Sequence, residues 1–352
     1  MKARADIIGG GIAGLAAARA LAMYGWDISV RERAAALPVT GTALGLWPEA
    51  LAALKEIGAA PAVLEAATRV SVVGGTGLWT PRGHTLLATN GGEGLHMIPR
   101  PALLAALADG VDITFGAEGQ GLGGAAAVVV GADGTHSRTR VDMFGESYRA
   151  RSLGAVAWRG TVAGTVGQYG ETWAPGAMFG ITPAGPGLTN WYACITAAGE
   201  FLPPHLQHLR DIFGPWRSGP AEVLDMVRED SILHHELFET PRLPAYANGN
   251  TVLIGDAAHS MGPFLGRGAC EALVDGATLG RCLAAAGSVP EGLEAYDRVR
   301  RAKTQRTVAF SRQMGRFAMM HRGFAVRNAA LGAVGTVLRI RGAFRPVRRG
   351  GN

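Results

Sequence analysis

Short apolar runs alternate with helical patterns near the start of this chain. Residues 5–8 and 27–30 predict two strands, and the small apolar residues from Gly14 to about Tyr24 predict a helix between them. The run AAAVVVGADG at 125–134 predicts a strand buried on both faces that ends in a loop. This order of elements predicts a βαβ opening and a largely parallel sheet.

Further along, helical spacing returns several times. Residues 48–57 and 220–228 show it, and RPALLAALA after Pro99 places a proline in a predicted first helical turn. The capping box Ser288 to Glu291 predicts a long helix from about residue 290. Short strands are predicted within 69–90 at Val70, Val72, Val73 and Leu78.

The pattern changes between residues 151 and 249. Alternating β-rich runs such as LTNWYACIT, interrupted by Gly and Pro, predict a mainly antiparallel sheet there. After residue 250 the strand–loop–helix pattern of the first part returns. The sequence therefore predicts two domains, a discontinuous nucleotide-binding one and an inserted sheet domain. Their boundaries are 1–70, 97–150 and 250–352 for the first, and 71–96 and 151–249 for the second.

Composition narrows the class of protein. The 352 residues are 48% hydrophobic and 18% charged, which is typical of a globular chain. No apolar run is long enough for a transmembrane helix. Asp6 and the glycines after it interrupt the first apolar run, so no signal peptide is predicted and a cytoplasmic location is expected. Cys194, Cys270 and Cys282 have no metal-ligand spacing and are expected to be small buried thiols; no metal is predicted.

Charge is distributed unevenly. The chain carries a net +6, but residues 293–352 alone carry about +12. Such a basic segment could bind nucleic acid, acidic lipid or an acidic partner protein. Its arginines are interleaved at helical spacing with apolar residues such as Phe310 and Phe317, which favours a solvated basic face on packed C-terminal helices. No nucleic-acid-binding module is present in the sequence, and no nucleic-acid partner is expected.

A glycine loop follows the first predicted strand. Gly9, Gly11 and Gly14 form a G-x-G-x-x-G pattern that opens a helix, where backbone N–H groups can approach a pyrophosphate. Glu32 ends the second strand eighteen residues beyond Gly14, where a carboxylate can bind ribose hydroxyls. The sequence predicts binding of FAD or NAD at this loop.

Two further motifs complete an ordered set: GADGTHSRTR at 131–140, and VLIGDAAHSMGPFLGRGAC at 252–270. With the glycine loop, they resemble the group A FAD-dependent monooxygenases, the para-hydroxybenzoate hydroxylase-like family, over roughly residues 5–300. The resemblance implies an α/β fold: a Rossmann-like FAD-binding domain (GR2-type) with an inserted, mainly antiparallel β-sheet substrate domain and C-terminal helices. It also implies FAD as cofactor and NADPH or NADH as transient reductant.

Cofactor-binding residues follow from the same resemblance. The ADP half of FAD is assigned to the first loop, the phosphate–ribityl region to the middle of the set, and the isoalloxazine to the last loop, where helix N–H groups can face the reduced flavin. In that order, the residues are Gly9, Gly11, Ile12, Ala13, Gly14, Glu32 and Arg33; Arg100, Asp133, Gly134, Gly255 and Asp256; and Pro263, Gly266, Gly268 and Ala269.

Candidates for catalysis are fewer. Pro263 and Arg267 lie in the predicted isoalloxazine loop, and the family usually has Gln where Arg267 stands. Arg267 could stabilise the reduced flavin anion or reach substrate or solvent. In the predicted substrate sheet, alternation puts Arg159 and Trp158 on opposite faces.

The sequence allows more than one role for several other residues. Trp191 and Tyr192 also alternate, so one of them can line a pocket. His259 could be a base or could brace its loop. The pair His234–His235 lacks the further ligands of a metal site. The family often has Glu where Val274 stands, and the segment between Arg100 and Asp133 is short for the family.

The function implied by the resemblance is an NAD(P)H-dependent FAD monooxygenase. It would insert one oxygen atom of O2, through a flavin C4a-hydroperoxide, into a hydrophobic, aromatic small molecule, with hydroxylation favoured over epoxidation. A reductase or oxidase of the same fold is the main alternative. A halogenase is disfavoured because the W-x-W-x-I-P motif is missing, and a non-catalytic flavin-fold protein because of the D-G motif. The sequence does not determine the oligomeric state.

Overall fold

A computed structural model describes residues 3–70, 76–89, 95–117, 126–197, 201–217 and 219–343. Several expectations fall outside these ranges. They are the strand residues Val72 and Val73, the start of the expected strand at Ala125, part of the short segment between Arg100 and Asp133, and the arginines from Arg345 onward.

The strands and helices of the described chain follow the predicted order. The strands are β1 (Arg4–Ile8), β2 (Asp27–Glu32), β3 (Ala43–Leu46), β4 (Thr68–Val70), β5 (Thr76–Trp79), β6 (Thr85–Thr89), β7 (Leu95–Pro99), β8 (Ile113–Phe115), β9 (Val128–Gly131), β10 (Arg151–Ala163), β11 (Gly170–Ala174), β12 (Ala177–Gly185), β13 (Leu188–Thr196), β14 (Leu233–Glu239), β15 (Ala247–Asn248) and β16 (Thr251–Leu253). The helices are α1 (Ile12–Met23), α2 (Pro48–Glu56), α3 (Ala60–Ala66), α4 (Arg100–Ala108), α5 (Arg138–Phe144), α6 (His205–Phe213), α7 (Pro220–Leu224), α8 (Asp256–His259), α9 (Gly268–Ala285), α10 (Val289–Ala318) and α11 (Phe324–Ala343).

The first unit is built on a six-stranded sheet in the order β15-β16-β9-β1-β2-β8. Strands β16, β9, β1, β2 and β8 run parallel, and β15 pairs antiparallel with β16 at one edge. The central strand β1 is buried at Ala5 and Ile7, as a sheet covered on both faces requires. The predicted Rossmann-like arrangement is confirmed.

Helices α1 and α9 pack against each other through small residues. A Cβ at Gly276 would lie 2.6 Å from the Cβ of Ala16, and one at Gly280 would lie 2.6 Å from the Cβ of Ala20. Glycine at these two positions therefore allows the two helix backbones to approach closely. Because α1 follows the first glycine loop and α9 follows the loop at 262–267, this packing brings together two segments that are about 250 residues apart in sequence.

The second unit is built on a seven-stranded sheet in the order β14-β10-β13-β12-β11-β5-β6. The pairs β10–β13, β13–β12, β12–β11 and β5–β6 are antiparallel, and β11–β5 is parallel. One face of the sheet packs with α6 and α7 around a core that includes Trp158, Phe179, Trp191, Leu209 and Phe213. The predicted, mainly antiparallel inserted sheet is confirmed.

Contacts divide the chain into Met1–Arg69, Leu95–Gly154 and Glu236–Gly315 in the first unit, and Val70–Gly94, Ala155–His235 and Arg316–Asn352 in the second. The C-terminal part differs from the sequence-based boundaries, which placed 316–352 in the first domain. The reason is that α11 packs on β6, and a Cβ at Gly335 would lie only 2.4 Å from the carbonyl oxygen of Leu86. Among the described helices, none has the length and apolarity needed to cross a bilayer.

Candidate functional site

The glycine loop between β1 and α1 has two kinds of glycine. Gly9 has a φ of +108°, and a Cβ at Gly14 would lie 2.0 Å from the carbonyl oxygen of Gly9, so the fold itself requires glycine at both positions. Gly11 has an ordinary backbone conformation, and in the described chain a Cβ there would meet nothing within 4 Å. The space beside Gly11 is open at the positive end of a twelve-residue helix, as a site for an anionic group requires.

Glu32 braces this loop from the end of β2. Its Oε2 accepts a hydrogen bond from the Gly10 N–H at 2.7 Å, and its Oε1 accepts one from the Ala34 N–H at 2.8 Å. Each carboxylate oxygen can accept a further bond, so ribose hydroxyls can still bind there. Arg33 lies next to Glu32 and is exposed. The expected position of the acidic residue beside the loop is the one observed.

The D-G motif forms the turn that precedes α5. Asp133 accepts hydrogen bonds from the Ser137 hydroxyl at 2.6 Å and from the Thr139 backbone N–H at 2.9 Å. Gly134 follows with a φ of +80°. In the described chain, the Asp133 carboxylate therefore holds the turn that leads into α5.

Arg140 connects that turn with the segment around Asp256. Its fully buried guanidinium donates to the carbonyl oxygens of Thr135 at 2.7 Å, Tyr148 at 2.7 Å and Ala257 at 2.9 Å. Desolvation lowers its pKa from the ordinary value. The sequence did not predict a role for Arg140, although this residue lies in the segment RTR shortly after the D-G motif. Its partners are backbone carbonyls, which no residue pattern reveals.

Gly255 lies against the first turn of α1, more than two hundred residues earlier in the chain. It has a φ of +58°, and a Cβ there would lie 2.6 Å from the Cβ of Ala13 in the first turn of α1. Asp256 follows as the first residue of α8, with its side chain exposed. The G-D motif and the first glycine loop are therefore immediate neighbours within the first unit.

A second open cradle lies at the start of α9. Pro263–Leu265 forms a 3-10 turn, Gly266 has a φ of +60°, and α9 begins at Gly268 with Ala269 in its first turn. Within the described residues, a Cβ at Gly266 or Gly268 would meet nothing within 4 Å. The N–H groups of this helix start are free of a side-chain cap from Arg267, the residue before the helix.

Arg267 is engaged by two carboxylates. Its Nε lies 3.2 Å from Glu271 Oε1, and its Nη2 lies 3.4 Å from Glu49 Oε1. The guanidinium also sits 5.7 Å from the ring centroid of Trp47. Burial opposes its charge, but Glu271 and Glu49 prevail and raise the pKa of Arg267. Through these contacts, Arg267 connects its loop to the start of α2.

Behind the two cradles lies a buried ion-pair network that the sequence analysis missed. Asp275 is fully buried and accepts bonds from the Gly255 N–H at 2.8 Å and from Arg300 Nε at 2.6 Å, and its Oδ2 lies 2.6 Å from His259 Nε2. Arg300 also donates to Glu271 Oε2 at 2.6 Å. The network runs from Gly255 through Asp275, Arg300 and Glu271 to Arg267, and so connects both cradles.

Electrostatics maintain the charges in this network. Burial disfavours the carboxylate of Asp275, but Arg300 and then His259 outweigh it and hold its pKa well below the ordinary value. Burial likewise opposes the charged form of His259, but Asp275 raises its pKa. The bonding of His259 fits the loop-bracing alternative. The sequence did contain a signal: Glu271 and Asp275 lie one helical turn apart in the mostly apolar first half of α9.

Arg100 lies apart from these clusters at the start of α4. Its backbone N–H donates to the Thr42 carbonyl at 3.0 Å, and a Cβ at Gly41 would lie 3.2 Å from the Arg100 Cβ. The structure therefore places Arg100 beside the segment at 41–42.

In the second unit, Arg159 and Tyr192 share the sheet face opposite the helices. Trp158 and Trp191 are fully buried in the core on the helix side, so their neighbours face the other way. Tyr192 donates to Glu171 at 2.5 Å, and burial together with this carboxylate raises its pKa well above the ordinary value. Burial and the nearby Arg159 lower the pKa of His235 to about 4. This sheet face therefore combines a cation, a half-buried carboxylate and a neutral imidazole.

The His234 ring packs against the rings of His205 and Trp158. It lies 4.6 Å from that of His205 and 5.1 Å from that of Trp158, measured between centroids. Across the described parts of the chain, no group of three His, Cys, Asp or Glu side chains is arranged to hold a metal ion.

The chain is similar to several known proteins over most of its length. The family model described as "FAD binding domain" matches residues 2–122 and 111–311. The aurachin C monooxygenase/isomerase of Stigmatella aurantiaca is 28% identical, with 91% of this chain and 90% of that protein covered. A 2-heptyl-3-hydroxy-4(1H)-quinolone synthase of Mycobacteroides abscessus is also 28% identical, over 94% of each chain. HpxO of Klebsiella pneumoniae, solved with FAD and uric acid, superposes with a TM-score of 0.85 at 20% identity, covering 97% of this chain and 95% of that one.

Proposed function

The chain belongs to the FAD binding domain family of oxidoreductases, and from this premise we propose that it is an NAD(P)H-dependent FAD monooxygenase acting on a hydrophobic aromatic small molecule. The observation that carries the proposal is the pair of open glycine cradles in the first unit. One lies at Gly11 and the other at Gly266–Gly268, and the packing of α1 on α9, the helices that follow the two cradles, brings their loops together. Two cradles at helix starts suit a long cofactor with a pyrophosphate near one end and an anionic ring at the other.

The residues present fit FAD. Gly11, Ile12 and Ala13 would hold the pyrophosphate with backbone N–H groups, and Glu32 would bind the adenosine ribose. The exposed carboxylate of Asp256 would bind ribityl hydroxyls. The loop from Pro263 to Ala269 would border the isoalloxazine, and its N–H groups would stabilise negative charge there. When bound, FAD supplies the redox chemistry between NAD(P)H and dioxygen.

The proposed reaction balances as a monooxygenation. NAD(P)H supplies two electrons, one oxygen atom of O2 enters a C–H bond of the substrate, and the other leaves as water. The chain's own task is to position the reactants and to exclude water from them. The D-G turn at Asp133 and Gly134 is our candidate for contact with the nicotinamide cofactor, on the basis of the family resemblance.

The sheet face of Arg159 is the proposed substrate surface. Tyr192 and Trp173 both donate to Glu171, at 2.5 and 2.6 Å, so these three side chains hold one another. Arg159 would orient an acidic or phenolic oxygen, and the neutral His235 can accept a hydrogen bond. The names of two relatives refer to aurachin C and to a quinolone, which supports a bicyclic N-heteroaromatic ring as the first substrate class to test. We propose hydroxylation rather than epoxidation.

The test is consumption of NADPH and NADH by the purified, FAD-loaded protein with alkyl-4-quinolones and hydroxybenzoates as probes, under ¹⁸O₂. We expect substrate-dependent consumption and a product heavier by one ¹⁸O atom. Consumption that yields only hydrogen peroxide would indicate an oxidase, and a product that gains hydrogens would indicate a reductase. Purified protein that binds no FAD would contradict both the proposal and these alternatives.

Asp256→Ala is expected to weaken FAD binding by about tenfold to a hundredfold. The exposed Asp256 carboxylate is proposed to bind ribityl hydroxyls, and hydrogen bonds to charged groups contribute about 1.5–3 kcal/mol each. Titration of the apoprotein with FAD, followed by flavin fluorescence, measures the dissociation constant. Asp112→Ala, which removes another exposed carboxylate of the first unit, is the control and should leave it unchanged. Equal affinities for the two variants would refute the assignment of Asp256.

A further inference from the structure

Helix α11 presents its apolar side chains to solvent. Val326, Val334, Val337 and Leu338 are 74%, 52%, 48% and 51% exposed. Ala329, Ala330 and Ala333 between them are exposed as well. Their spacing of three and four residues puts them on one side of the helix, in a stripe about 18 Å long at 1.5 Å per residue. We call this set of exposed apolar side chains the apolar stripe of α11.

The side of α11 that packs on the second unit has the opposite character. It carries Arg327, which is buried and donates to the carbonyl oxygens of Phe317 at 2.9 Å and Ala318 at 2.5 Å. The Arg327 guanidinium also lies 5.4 Å from the ring centroid of Trp173. Gly335 allows the backbone of α11 to approach Leu86 closely. A helix that buries arginine and glycine and exposes valine and leucine is inverted relative to the usual surface helix.

The charges that flank the apolar stripe in the sequence have one sign. Asp297 is the last acidic residue of the sequence, and fourteen Arg and Lys residues follow it, twelve of them before Val347. Arg316 and Arg322 precede α11 and are exposed. Within Phe324–Leu338 the sequence contains one charged residue, the buried Arg327. An uncharged apolar stripe that is flanked in the sequence by cations alone complements a surface that is both apolar and anionic.

We propose that α11 is an interfacial helix that seats this protein on an anionic lipid bilayer. The apolar stripe would enter the boundary between headgroups and acyl chains, and the surrounding arginines would bind anionic headgroups. α11 would lie on the membrane rather than span it, in agreement with the absence of a membrane-crossing helix among the described residues. A second copy of the chain is a poorer occupant, because pairing two such faces would bring like charges together. The inference is independent of the proposed monooxygenase function.

The test is co-sedimentation of the full-length, FAD-loaded protein with phosphatidylcholine vesicles that contain or lack about 30% phosphatidylglycerol. We expect binding to the anionic vesicles at least tenfold stronger than to neutral ones, and weaker at high salt. Val334→Gln combined with Val337→Gln should reduce the partition coefficient at least tenfold. Glutamine changes no charge and has a higher helix propensity than valine, so α11 should still form.

Leu202→Gln is the matched control, since Leu202 is 65% exposed and lies in the same unit outside α11. It should bind anionic vesicles as the wild type does, and all three proteins should keep the same FAD content. Wild-type protein that ignores anionic vesicles would overturn the proposal, as would a double variant that binds them normally. Sedimentation velocity distinguishes the remaining occupant: a wild-type dimer that the double variant dissociates would make this face an interface between copies and would also overturn the proposal.

Discussion

Replacing Arg300 with Met is expected to lower the free energy of unfolding by about 3–5 kcal/mol, because it leaves two buried carboxylates without their shared counter-ion. Arg300 lies 2.6 Å from both Asp275 and Glu271, and all three side chains are at most 2% exposed. Methionine fills a similar volume but provides no charge. Urea unfolding at a fixed excess of FAD, followed by circular dichroism, measures the change.

Arg301 provides the matched control for this experiment. It is the next residue of α10 and pairs with Asp297 at 2.9 Å, but its side chain is 34% exposed. Solvent screens such a pair, so Arg301→Met should cost at most about 1 kcal/mol. Arg300→Lys should restore only part of the loss, since one ammonium group cannot reproduce the fork that spans two carboxylates. If Arg300→Met were as stable as Arg301→Met, the network would not support the fold.

The first unit could be predicted largely from local pattern. Strands β1 and β2 and helix α1 are close in sequence, and apolar spacing with glycine at the turn specifies them without knowledge of distant residues. The two loops could also be located from their motifs. The proximity of the loops could not be derived from spacing. It depends on the packing of α1 against α9, and therefore on Gly276 and Gly280, whose close contacts come from another part of the chain.

Arg267 illustrates what sequence alone leaves undetermined. Its type and position raised three options: flavin, substrate or solvent. The structure instead pairs it with Glu49 and Glu271 and places it over the ring of Trp47. Glu49 and Trp47 lie more than two hundred residues earlier, so no local pattern could reveal them. With two carboxylates beside it, the charge of Arg267 serves to hold its loop against α2.

The burial pattern of helix α11 differs from what the sequence predicts for the C-terminal region. Interleaved arginines and apolar residues predicted a solvated basic face on packed helices. In α11, however, the buried side takes Arg327 and Gly335, and the exposed side takes Val326, Val334 and Val337. Helical spacing shows that two faces exist, but it does not show which of them packs inward. The partner decides that, and β6 offers a backbone edge against which glycine fits better than valine.

Gly11→Val is expected to raise the dissociation constant for FAD at least a hundredfold while leaving the fold intact. In the described chain a Cβ at Gly11 meets nothing within 4 Å, and the φ of −79° and ψ of −175° suit any residue. The open space is therefore not needed by the protein itself. If it holds the pyrophosphate, a valine side chain would displace that group from the helix N–H donors, and a loss of about 3 kcal/mol corresponds to more than a hundredfold in affinity.

Two glycine variants separate this effect from damage to the fold. Gly14→Ala places a Cβ 2.0 Å from the carbonyl oxygen of Gly9, so it should reduce both stability and FAD binding. Gly167, in the second unit, is another glycine whose Cβ would meet nothing within 4 Å of the described chain, and Gly167→Val should leave FAD affinity unchanged. FAD titration and urea unfolding of the three variants then give three different outcomes. Wild-type affinity in Gly11→Val would mean that the anion binds elsewhere, because an open cradle that tolerates valine cannot be holding a phosphate against the helix start.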